Sequence, residues 1–171
     1  MPNDMQIKQA DILARRRVIE PEAFERQGII FWLLAAMVGT RLLYAILFTM
    51  YFNLLGFRVP TSEYVMTYFM VLIALLFAFI IYQGGQKFAA YLGLFGGVFS
   101  LFRAFTDGVF FMIGTVDAIL SSIMLIFVAT IIIQIVTMAF ICFDSKCRLY
   151  MQMRAEVSKE MQEWVKANKQ Q

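Results

Sequence analysis

The sequence predicts an all-α integral membrane protein, a four-helix up-down-up-down bundle with an amphipathic cytoplasmic helix at each terminus. Three observations predict it: a composition too apolar for a water-soluble fold, four runs long enough to cross a bilayer, and basic residues gathered into the two tails and one loop. The 171-residue chain is 61% hydrophobic and only 16% charged, with a mean hydropathy of +0.71, where soluble domains hold ~45–50% apolar residues. Its net charge of +3 is divided among separate clusters, so no basic face suited to nucleic acid is expected. Histidine is absent, which removes the commonest general base and the commonest metal ligand. The two cysteines are too few for a disulfide framework or a zinc site. No metal and no cofactor is expected.

The first segment, residues 1–27, reads as an amphipathic interfacial helix. Ile7, Ile12, Leu13, Val18 and Ile19 alternate with Arg15, Arg16 and Arg17, a pattern suited to the surface of an anionic leaflet. Pro21 followed by Glu22 and Glu25 marks a new short helix leading into the membrane, because proline fits the first helical position and acids favour the first turn.

The membrane domain, residues 28–143, divides into spans at 28–54, 64–83, 88–113 and 117–143. About 20 residues at ~1.5 Å each cross a ~30 Å hydrocarbon core. The stretches from Tyr64 to Gln83 and from Ala118 to Phe143 contain no charge; the first span contains Arg41, and the third contains Arg103 and Asp107. These two are read as helices as well, since neither half of an interrupted run would fill a membrane and irregular backbone does not survive against lipid. The connections are short and carry Pro60 with Thr61 or Ser62 as a candidate cap, Gly84 with Gly85, and Gly114 with Thr115 as a candidate cap. Short loops make neighbouring helices antiparallel.

The last segment, residues 144–171, is expected to be a cytoplasmic helix with an apolar stripe of Tyr150, Met153, Val157, Met161 and Trp164 at spacings of three and four. Packing on the bundle or membrane and docking to a partner both fit this stripe. Orientation follows from charge. Lys8, Arg15, Arg16, Arg17 and Arg26 precede the first span, Lys87 sits in the second loop, and Lys146, Arg148, Arg154, Lys159, Lys166 and Lys169 follow the last span, whereas the first and third loops hold Arg58 alone. The positive-inside rule then puts both tails in the cytoplasm of a bacterial cell or its equivalent at an organelle. Aromatics at both expected interfaces agree, with Phe31 and Trp32 at the inner one and Tyr51, Phe52, Phe57 and Tyr64 at the outer one. No removable signal pattern opens the chain, so the first span is expected to direct insertion.

The intramembrane charges single out a candidate site. Each costs ~2.5–3.5 kcal/mol at mid-bilayer on insertion scales, so such residues face a partner, a cavity or the bundle interior. Arg41 and Arg103 fall near the same depth, and Asp107 follows Arg103 by one turn, giving a polar site of net charge +1. Gly93, Gly97, Ser100, Ala104 and Gly108 lie within roughly 80° of one another on a helix and include a GxxxG, so this small-residue stripe is expected to pack inward and carry the charged pair with it. Ala35 and Gly39 form a similar pair in the first span. Thr130, Gln134 and Thr137 put a polar stripe on the fourth, with Gln134 expected below the charges. The arginines have a structural alternative: Arg103 neutralises Asp107 within one helix, and Arg41 binds backbone carbonyls, a partner subunit or a lipid phosphate. Cys142 and Cys147 fit neither a redox nor a zinc spacing and are read as two reduced thiols.

These features favour a non-catalytic subunit or assembly partner of a larger membrane complex, with lipids, other membrane subunits or further copies of itself as partners. The alternative is an oligomeric channel or transporter protomer that handles an anionic or zwitterionic ligand or lipid headgroup. No proline interrupts a span, against the broken-helix transporter design. An enzyme fits least, for want of histidine, a nucleophile motif or paired carboxylates.

Overall fold

A computed structural model describes residues 2–56 and 60–169, with side chains from 5 to 168; the expected interfacial Phe57, the loop charge Arg58 and the Lys169 side chain lie outside the described residues. Eight helices and no strand occur among the described residues: α1 (Pro2–Ile19), α2 (Pro21–Phe24), α3 (Gln27–Leu54), α4 (Thr61–Gly84), α5 (Lys87–Thr106), α6 (Val109–Met112), α7 (Ala118–Phe143) and α8 (Ser145–Lys169). Four stretches, Pro21–Leu54, Thr61–Gly84, Lys87–Thr106 and Ala118–Phe143, are long and apolar enough to cross a membrane. Large apolar side chains lie exposed along all four, a surface that lipid covers and water would not tolerate.

Local chemistry sets the boundaries. Pro21 opens α2 at its first turn. The helix expected from Tyr64 begins at Thr61, directly after Pro60 and with no side-chain cap, so neither Thr61 nor Ser62 plays the expected role. It ends on Gly85, whose φ of +59° places it in the left-handed conformation that closes helices. The third span differs most from expectation. It was expected as one helix to residue 113, but α5 stops at Thr106, where Asp107 and Gly108 donate their amides back to the carbonyls of Arg103 and Phe105, and Gly108 turns left-handed at φ +75°. Glycine alone adopts that conformation without cost, so Gly108 ends the helix instead of continuing its packing stripe. The cap of α7 is Asp117, accepting from the amides of Ile119 at 3.1 Å and Leu120 at 3.0 Å; the Thr115 hydroxyl instead donates to the carbonyls of Phe111 and Met112. Tyr51 also donates to Asp117 at 2.5 Å, tying the end of α3 to the start of α7. The Tyr51 hydroxyl and the Leu120 and Ile119 amides hold the Asp117 carboxyl below the usual carboxylate range.

Packing is uneven. α7 is the central helix, with α5 and α3 against it and α4 against α3, while α4 and α5 touch sparingly. The α5–α7 contact rests on Gly93 and Gly97. A Cβ on Gly97 would stand 2.8 Å from Ile135 Cγ1, and one on Gly93 would stand 3.1 Å from the Met138 sulfur, the close approach that small residues permit. In contrast, Ala35 and Gly39 are exposed and a Cβ on Gly39 would meet nothing within 4 Å.

At one end of the bundle α8 folds back across α1, α2 and the end of α4. Cys147, Tyr150, Met151, Met153 and Val157 are buried in a core shared with Ile12 of α1, Ala23 of α2 and Ile81 of α4. Arg154, only 5% exposed, donates from Nε to the Tyr82 carbonyl at 3.0 Å and from Nη2 to Gln83 Oε1 at 2.6 Å, and its guanidinium lies over the Tyr82 and Tyr150 rings. It thereby satisfies a carbonyl at the end of α4 that the helix itself leaves unpaired. Arg16 bridges to Glu156 at 2.8 Å and Glu160 at 2.5 Å, and Lys146 pairs with Glu25. Of the apolar residues expected to share one face of α1, Ile12 is buried and Leu13 packs on the core, whereas Ile7, Val18 and Ile19 are exposed.

Candidate functional site

The site is built outward from Arg41. Its Nη2 donates to Gln134 Oε1 of α7, and Gln134 Nε2 donates in turn to the Gly93 carbonyl of α5 at 2.7 Å. Three helices are therefore joined by one relay at mid-span. Gln134 was expected below the charges; it is instead the direct partner of Arg41, held against α5 because the glycines let α7 approach. Arg41 Nε is buried and has no hydrogen-bond partner among the described residues.

Two cavities meet at Arg41. The larger, of about 540 Å³, opens between α3, α4, α5 and α7 toward the start of α4, and Arg41, Arg103, Asp107 and Glu63 all line it together with the hydroxyl-bearing Tyr44, Ser100 and Thr130. The smaller, of about 210 Å³, continues between α4 and α5 and is walled mainly by apolar side chains such as Met37, Phe77, Leu92 and Met138. Arg41, Met70 and Ser100 belong to both.

Arg41, Arg103 and Asp107 line one cavity, but they do not form one ionic cluster. Arg103 and Asp107 pair with each other at 3.2 Å and stay open, with side chains 70% and 56% exposed. Their helix is carried inward only as far as Ala104, which is buried beside Gly93 and Gly97; the Ser100 hydroxyl turns back to the Gly96 carbonyl at 2.8 Å. Thr130, Gln134 and Thr137 are buried as a stripe. The cavity's ionic balance also differs from the expected +1: two arginines and two carboxylates line it, so its formal charge is zero. Glu63 is the residue that changes the sum. The apolar run from Tyr64 leaves it outside the expected span, but α4 begins at Thr61 and puts Glu63 on the first helical turn, with Thr67 and Met70 following at helical spacing along the cavity wall. That periodicity was the signal available.

The two cysteines are free and buried at the α7–α8 junction. Cys147 donates its amide to Asp144 Oδ1 at 2.8 Å, and burial beside that carboxylate pushes its thiol up to about 12. Among the described residues no three His, Cys, Asp or Glu side chains are grouped to hold a metal. No family model, no curated protein and no solved structure matches this chain.

Proposed function

We propose that this chain is a non-catalytic membrane protein, an up-down-up-down bundle with both tails in the cytoplasm, that acts by holding a small anionic or zwitterionic ligand or a lipid headgroup at Arg41. The observation that carries this reading is the unmet capacity of that arginine. A guanidinium has five N–H donors; here one nitrogen is engaged by Gln134 while Nε is buried without a partner beside a polar cavity. Buried polar groups are normally satisfied, and an intramembrane arginine with spare donors is suited to a phosphate or carboxylate.

The test is native mass spectrometry of the protein gently extracted from its own membrane. The expected result is a retained anionic or zwitterionic ligand that Arg41→Ala loses while the assembly state stays unchanged. An empty cavity together with unrelated subunits at fixed stoichiometry would overturn it in favour of a second reading, an assembly partner in a larger complex. That second reading draws on α4, where only Ala74 and Ile81 are buried, leaving most of a membrane-length helix free to meet lipid or a neighbouring chain.

A further inference from the structure

We infer that the ligand is an aminophospholipid, a lipid whose headgroup joins a phosphate to an ammonium. The inference rests on the ligand-binding reading above and adds the chemical class.

Charge is the first reason. Arg41 stands where the two cavities join, whereas Glu63 lines the larger one alone and is exposed. A simple anion seated on Arg41 would be repelled by Glu63 and Asp107, and a simple cation near Glu63 would be repelled by the arginines. A zwitterion satisfies both ends: its phosphate accepts from Arg41 and Arg103, and its ammonium donates to Glu63 and Asp107. The Arg103–Asp107 pair does not bar this arrangement, because an exposed pair one turn apart is held weakly and can exchange partners.

Shape is the second reason. A soluble zwitterion would need only the polar cavity. Here an apolar cavity continues past Arg41 between α4 and α5, neighbouring spans that touch only sparingly. An acyl chain entering through that gap would lie along Phe77 and Leu92 while its headgroup remained at Arg41. Polar and apolar halves sharing Arg41, Met70 and Ser100 match an amphiphile.

The full chain would be reconstituted into nanodiscs of equal parts phosphatidylethanolamine and phosphatidylglycerol, released into detergent, and its retained lipid weighed by native mass spectrometry. The expected result is one phosphatidylethanolamine per chain, preferred about tenfold over phosphatidylglycerol, since one charge-assisted hydrogen bond discriminates by about that factor. Glu63→Gln should erase the preference, and Arg41→Gln should lose both lipids. A water-soluble headgroup, glycerophosphoethanolamine, should fail to displace the lipid at equal concentration. Equal retention of the two lipids, an unchanged ratio in Glu63→Gln, or displacement by the soluble headgroup would each overturn the inference. Retention of phosphatidylglycerol alone, lost in Arg41→Gln, would sink the aminophospholipid but leave the anion-binding reading standing; a folded wild-type chain that keeps no lipid would sink both.

Discussion

Two arginines that meet α4 at different levels, Arg154 at its end and Arg41 at mid-span, are handled in opposite ways. Arg154 sits in a dense end where α8 covers the close of α4. It has a backbone carbonyl, a side-chain amide oxygen and two aromatic rings as partners. Arg41 sits at mid-span where two cavities meet, with a single hydrogen-bond partner and a buried Nε that has none. A charge surrounded by satisfied partners stabilises a fold, and one with spare donors beside a cavity is available to a ligand. Arg154 is buried and Arg41 half-buried, and it is their partners, more than their depth, that separate structure from binding.

The largest expected effect lies at the dense end. A Cβ on Gly85 would collide with the Met151 carbonyl and stand 2.8 Å from the Ala155 amide nitrogen, at a φ of +59°. Gly85→Val should destabilise the protein by about 4 kcal/mol or prevent folding, since strain and a backbone clash add; a normal melting profile in detergent would show that α8 does not hold the loop. Next comes the direct contrast of the arginines. Arg154→Met should cost about 2–3 kcal/mol by stranding the Gln83 side-chain oxygen, leaving the Tyr82 carbonyl to the Tyr150 hydroxyl alone and losing ring contacts, while Arg41→Met should cost about 1 kcal/mol because only the Gln134 side-chain oxygen loses its partner. Equal losses in thermal unfolding would erase the distinction between the two arginines.

Smaller effects sharpen the contrast within the membrane. Gly97→Ala should cost about 1 kcal/mol as Ile135 gives way, whereas Gly39→Ala, facing open space, should be neutral or stabilising by about 0.5–1 kcal/mol from helix propensity. A reversed order would mean that Gly39, not Gly97, lies in a packed contact, as between copies of the chain. The least effect concerns pH. The Cys147 thiol, pushed up to about 12 from an ordinary 9.0 by burial beside Asp144, keeps a proton that the unfolded chain releases. Its contribution is whole below the ordinary value and is lost as pH rises toward 12. Asp144 runs the other way, held below its usual range by the Cys147 amide, so its contribution is present above the ordinary carboxylate range and fades as pH falls through the lowered value. Cys147→Ala should flatten the alkaline limb of a stability profile and leave the acid limb in place.

The four apolar runs and the two charged interruptions were readable because membrane thickness sets helix length and because a buried charge stands out against leucine and phenylalanine. Gly93 and Gly97 were readable from their four-residue spacing, since close helix approach leaves that mark. The end of α5 was not: the hydrophobicity of Val109 to Ile113 continues past the break, and only Gly108 records it. Gly39 carried the same local signature as Gly97 without a neighbour to meet it. Glu63 was missed for a related reason, since its role depends on α4 starting three residues earlier than the apolar run. The Arg154 contacts were beyond reach, because a cap supplied from 72 residues away leaves no periodic trace in either segment.

The clasp made by α8 also orders the assembly of the molecule in time. Arg16 meets Glu156 across 140 residues, and the Tyr82 carbonyl waits for Arg154. During synthesis from the N-terminus, the first three apolar stretches and the loop at Gly85 are complete long before their final partner leaves the ribosome. Until then α1 lacks the surface that buries Ile12, and the end of α4 has no clasp across it. The docking of α8 onto α1 therefore follows the synthesis of all four spans, and a chain cut short after residue 143 would lack the surface that buries Ile12.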